Sequence, residues 1–216
     1  MKIIIIVLIL TSCSNYHKLE PSGDHSSTDY FISTTDSAVK AANLPILRNL
    51  PLDSGITEIR IWTGFGSLII QDMYRIYVLE SGQIDGEYIW YFDAPLDYWE
   101  LNEKEEFYNE TYKYCNKIGA FEKTESCLVK LDKNVDWNGI YNGLIKLDIW
   151  NMPDNSEIPK YQHKDSIVTL DGSHIIVELK KNGYYRSFGH RLSPAPFKKK
   201  YQFGQKIMDV LSKELK

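Results

Sequence analysis

The sequence predicts an α+β fold: an antiparallel sheet of about six strands, made of hairpins and a meander, with two helices packed on one face and a disordered N-terminal tether. Three observations lead there. Asp171-Gly172 and Asn182-Gly183 divide the stretch 166–190 into short runs separated by the chemistry of two-residue hairpin turns. Aromatic residues are abundant, with 15 Tyr, 8 Phe and 5 Trp, and such rings favour strands and bury large areas. Two other stretches, 136–147 and 200–215, repeat apolar residues at steps of three and four, the period of a helix lying on a core.

Residues 13–50 read as a flexible tether. Pro21 to Asp29 is polar and turn-rich, and Ser33 to Ser37 continues it with little to bury. Residues 51–216 then form one domain, a length ample for a single core. In 57–62, Thr57, Ile59 and Ile61 share one face while Glu58 and Arg60 share the other, as in a half-buried strand. Strands follow at 73–79 and 87–92, and Gly82 with Asp85-Gly86 supplies the turn between them. Tyr88, Trp90 and Phe92 alternate with Ile89 and Tyr91, so both faces of that strand are apolar and it belongs inside the sheet. Across 97–118, a run of Glu favours helix and interspersed Tyr and Phe favour strand; the reading is helix or irregular structure. A short strand at 127–131 precedes Asp136, a helix N-cap. Trp137, Ile140, Tyr141 and Leu144 then form an amphipathic stripe.

The meander 166–170, 173–181 and 184–190 has a register that can be counted. If its turns hold two residues, Lys181 faces Tyr184, Leu179 faces Arg186, Val177 faces Phe188 and Ile175 faces His190. Val168, Ile175, Val177, Leu179 and Phe188 make a core face, and Arg186 and His190 share it. After Pro194 and Pro196, the series Phe197, Tyr201, Gly204, Met208, Leu211 and Leu215 marks the closing helix. Lys198, Lys199 and Lys200 at its start read as solvated charges.

Several function classes are disfavoured. With 25 basic against 29 acidic residues the formal net charge is −4, poorly suited to phosphate neutralisation on nucleic acid. The five His show no metal-ligand spacing, and the chain has no nucleophile elbow and no phosphate-binding loop. Gly64-Phe65-Gly66 reads as a turn. No catalytic residue, metal site or cofactor is assigned. The one pair that invites a ligand is Arg186 with His190. A guanidinium on an apolar face needs a carboxylate or carbonyls. Either it forms a structural ion pair or sits at an edge open to water, or it lines a recess for an anionic or sugar-like ligand.

The first thirteen residues carry an address. Lys2 is followed by the apolar run Ile3–Leu10, then Thr11, Ser12 and Cys13. These eight apolar residues would cover about 12 Å as a helix, too short for a bilayer core of roughly 30 Å. The ending Leu10-Thr11-Ser12-Cys13 resembles the lipobox of bacterial lipoproteins. That resemblance implies a signal peptide over 1–12, cleavage before Cys13 and a lipid (palmitate among its acyl chains) on that thiol. It places the chain in the cell envelope, anchored to the outer membrane at its periplasmic or surface face. With Cys13 lipidated, Cys115 and Cys127 remain, either as a disulfide worth roughly 2–4 kcal/mol or as two free thiols.

From Asp136 onward the chain resembles a group of uncharacterised bacterial lipoproteins. The resemblance rests on Asp136-Trp137, Ile149-Trp150-Asn151-Met152-Pro153, Asp171-Gly172 before Val177-Glu178-Leu179, Tyr184-Tyr185-Arg186, and a closing helix after Pro194 or Pro196. It implies a lipid-anchored α+β domain and brings no activity with it. The expected function is a noncatalytic binding or interaction module with a protein or glycan partner. The alternative is a hydrolase-like enzyme acting on envelope or polysaccharide material.

Overall fold

The computed structural model describes residues 35–36, 38–51, 54–65, 70–93, 126–131, 134–154, 157–158, 174–192 and 199–214. Its strands are β1 (Thr57–Phe65), β2 (Ile70–Val78), β3 (Ile84–Asp93), β4 (Ser126–Leu131), β5 (His174–Lys181) and β6 (Tyr184–Arg191). All six join one antiparallel sheet in the order β4-β3-β2-β1-β5-β6. The first four form a meander running from β1 to one edge. The β5–β6 hairpin then pairs with the other side of β1.

Alternation explains the two faces. Ile59, Ile61, Tyr74, Ile76, Tyr88, Ile175, Val177, Leu179 and Phe188 point to one side and are buried together. Helices α1 (Trp137–Lys146) and α2 (Phe203–Glu214) cover that side with Ile140, Leu144, Ile207 and Leu211. The α+β architecture with two helices on one sheet face is therefore the one expected. Asp136 caps α1, its Oδ1 accepting from the Gly139 N–H at 2.8 Å. Helix α2 begins at Phe203, after a 3-10 turn at Lys199–Tyr201, and Ile207 is fully buried where the stripe pointed to the half-buried Met208. Ile149 and Met152 of the Ile-Trp-Asn-Met-Pro stretch join the same core. The Trp150 carbonyl accepts from the Tyr184 hydroxyl at 2.9 Å, which ties this stretch to β6.

The counted register of the β5–β6 hairpin is the observed one: Lys181 faces Tyr184, Leu179 Arg186, Val177 Phe188 and Ile175 His190. Gly183 takes φ 73° in the turn. The first strand of the expected meander, 166–170, and the stretch 97–118 lie outside the described residues.

Two expectations are corrected. The β2–β3 turn spans 79–83, with Gly82 at φ 82°, whereas Asp85 and Gly86 sit inside β3 opposite Tyr77 and Ile76. Gly86 is there for room. A Cβ would stand 2.6 Å from the Arg75 carbonyl oxygen and would overlap the Trp137 indole. The second correction concerns the tether, expected to run to residue 50. Residues 38–41 are helical, and Ala38, Val39 and Ala42 are buried against Trp62, Met73, Ile89, Tyr91 and Ile176 on the second sheet face. Leu47 is completely buried as well. The apolar residues among 38–50 thus find a surface to cover, and the folded body starts before residue 51.

Candidate functional site

The second face of the sheet joins an apolar half, roofed by 38–42, to a charged half. On β1 the residues Glu58, Arg60 and Trp62 point to this face, since side chains alternate along a strand. Arg60 lies opposite Arg75 of β2 and Glu178 of β5, and Glu58 lies opposite Lys180. Arg75 in turn faces Glu87 of β3. The register therefore draws ionic side chains from five strands into one row.

Hydrogen bonds link that row. Lys130 Nζ donates to Glu87 Oε1 at 2.7 Å, and Arg75 Nη1 donates to Glu87 Oε2 at 2.8 Å. Arg75 also grips Glu58 with two prongs, Nε to Oε1 at 2.8 Å and Nη2 to Oε2 at 3.0 Å. Arg60 Nε donates to the same Glu58 Oε1 at 2.6 Å. Beyond Arg60, the Glu178 carboxyl accepts from Trp62 Nε1 and from the Tyr185 hydroxyl, both at 3.2 Å. Lys180 Nζ reaches out of the sheet to the Leu50 carbonyl at 2.8 Å.

The row runs from solvent into the interior. Lys130 is 48% exposed and Glu87 24%, whereas Glu58, Glu178 and Lys180 are buried and Arg60 is 0% exposed. Electrostatics follow. Burial opposes ionisation of Glu87, but its bonds to Lys130 and Arg75 outweigh that and lower its pKa. Burial likewise opposes the charge on Arg75, but its contacts with Glu58 and Glu87 outweigh that and raise its pKa. At the buried end desolvation wins: the Glu178 carboxyl is pushed up although Arg60, Trp62, Tyr185 and Arg48 all favour its charge. A row of this kind can hold and orient an ionic partner at its solvent-facing end.

The residues singled out in the sequence lie elsewhere. Arg186 and His190 do share the helix-covered face, with Phe188 between them on β6. Arg186 Nη2 stands 3.6 Å from Glu157 Oε2, and its guanidinium lies 5.1 Å over the Phe188 ring. That is the ion-pair arrangement. His190 is buried between Phe188 and Phe203, each ring centroid 5.5 Å away, and its Nε2 has no hydrogen-bond partner among the described residues. Burial brings its pKa down to about 4, with Arg186 adding to the effect and Asp154 opposing it. Cys127 pairs with Phe92 in the β3–β4 ladder. The Cys127 side chain, Cys115 and Cys13 lie outside the described residues. Among the described residues no group of three His, Cys, Asp or Glu is placed to hold a metal ion.

The charged row is not evident from the sequence, because Glu58 and Arg60 have the alternation of a solvated face. The signal that contradicts solvation is Trp62, which falls on the same face as both. Ile176 stands in the same relation to Glu178 and Lys180. Comparison with protein-family models, with curated proteins and with solved structures finds no match to this chain.

Proposed function

We propose that the protein is a lipid-anchored cell-envelope lipoprotein, held through Cys13, whose sheet domain is a noncatalytic binding or interaction module. The anchor is supported by the Lys2 start, the Ile3–Leu10 run and the Leu10-Thr11-Ser12-Cys13 ending. The outer membrane is the site that this resemblance implies, with a protein or glycan as partner. The observation that carries the binding reading is the solvent-facing end of the charged row, Lys130 and Glu87, continued inward through Arg75 and Glu58 to Arg60. Ionic groups are costly to bury, and a well-packed apolar row would serve stability at least as well. Their use across five strands fits recognition better than support.

Hydrolysis is the second reading, and one observation favours it. Glu178 is held toward its protonated form, as a general acid requires. Both of its oxygens are already engaged by Trp62 and Tyr185, which suits a fixed carboxyl more than a reacting one.

Two measurements test the proposal. Mass spectrometry of the mature protein should find an acylated N-terminal Cys13, and Cys13→Ser should release the chain from membranes. An unmodified N-terminus elsewhere would remove the anchor. Incubating the full chain with purified envelope polysaccharide should give retention or no effect, without new reducing ends. New ends that vanish in Glu178→Gln would replace binding by hydrolysis.

A further inference from the structure

The hydrogen-bonded chain from Lys130 to Arg60 begins and ends on a cation. Lys130, Arg75 and Arg60 share the two carboxylates of Glu87 and Glu58. Arg60 is the last link and is only half used. Its Nε is bonded to Glu58, but among the described residues Nη1 and Nη2 have no hydrogen-bond partner, and the residue is 0% exposed. These two nitrogens present four N–H donors in a planar fork. Leaving such donors idle in the interior is costly, since a buried charged group loses its hydration without compensation.

The neighbours are turned to other partners. Both Glu58 oxygens receive Arg75, and the two Glu178 oxygens receive Trp62 and Tyr185. Arg75, on the adjoining strand, adds a second positive charge directly beside Arg60. The geometry therefore has a fork of donors, a local excess of cations in the bonded chain and a complete covering. A guanidinium fork matches two oxygens of a carboxylate or phosphate, each bond being charge-assisted.

We propose that the Arg60 fork is a binding site for a free, small oxyanion, a carboxylate or phosphate. The proposal rests on the reading of the domain as a binding module and names the chemistry of one ligand. The site is closed, so a polymer or a lipid headgroup does not fit it. The segment 38–50 lies over this sheet face. It is held by the buried Val39, Ala42 and Leu47 and by the Lys180 bond to the Leu50 carbonyl. Arg48 of this segment also pairs with Asp36, just ahead of it in the chain. Access requires this segment to lift locally, and a bound oxyanion holds the face together once the segment returns.

The test uses the purified full chain in detergent, with sodium phosphate and sodium acetate as probes and sodium chloride at equal ionic strength as control. At about ten times its Kd, a bound oxyanion should raise the thermal midpoint by about 3–6 °C. Chloride should not reproduce the rise. Arg60→Met should abolish it, and Arg60→Lys, which keeps the charge without the fork, should reduce it. No rise with either oxyanion in the unaltered protein overturns the proposal. So does an equal rise in chloride, or a full rise in folded Arg60→Met. If Arg60→Met fails to fold, an undiminished rise in Arg60→Lys has the same force. Absence of oxyanion binding while envelope polysaccharide is still retained sinks this site alone and leaves the binding module standing.

Discussion

His190 shows how one buried side chain sets a pH limit. Its imidazole sits between Phe188 and Phe203 with a pKa near 4, against an ordinary value of 6.5. A depressed folded-state pKa means that the unfolded chain takes up the proton first. Stability is therefore full above about pH 6.5 and falls as pH drops toward 4, by at most about 3 kcal/mol from this group. Denaturant unfolding of the unaltered chain and of His190→Leu, compared between pH 7 and 4, checks this. The variant should show the flatter dependence, and parallel curves would remove His190 as the cause. Arg186, four residues earlier, pairs with Glu157, whose side chain is 58% exposed, and such a pair contributes little. Arg186→Met should change stability by under about 1 kcal/mol.

At the level of elements, local chemistry decides more than composition. Asp136→Ala removes the cap on α1 and should cost about 1 kcal/mol. Gly86→Ala places a methyl group against the Trp137 indole and the Arg75 carbonyl, and should cost about 1–3 kcal/mol by overpacking. Urea titration reads both. The β5–β6 register is legible because a two-residue turn at Asn182-Gly183 fixes which residues face each other. The α1 stripe is legible because Ile140 and Leu144 lie one turn apart. Asp85-Gly86 misleads for a physical reason: a Gly that makes room for an indole looks in sequence like a Gly that makes a turn. The charged row misleads similarly. Alternating Glu58 and Arg60 look solvated until the strands beside them, and the segment above them, are known. The residues beside Arg60 lie on β2 and β5, which no local pattern brings together.

For the whole molecule, the segment 38–50 converts a one-sided sheet into a three-layer body. Leu47→Ala separates that arrangement from a tether. A completely buried Leu should cost about 2–5 kcal/mol, whereas a tether residue would cost almost nothing. Thermal or denaturant unfolding of the full-length variant measures it. The strand order carries a further consequence, in time rather than in energy. β1 to β4 pair with their neighbours in sequence, but β1 receives β5 only later, and Trp62 and Glu178 are 116 residues apart. Closing so long a loop is slow beside zipping a hairpin. While the meander waits, β1 is an open edge able to pair with the wrong chain. The docking of one hairpin therefore closes this edge of β1 and removes that route to mispairing.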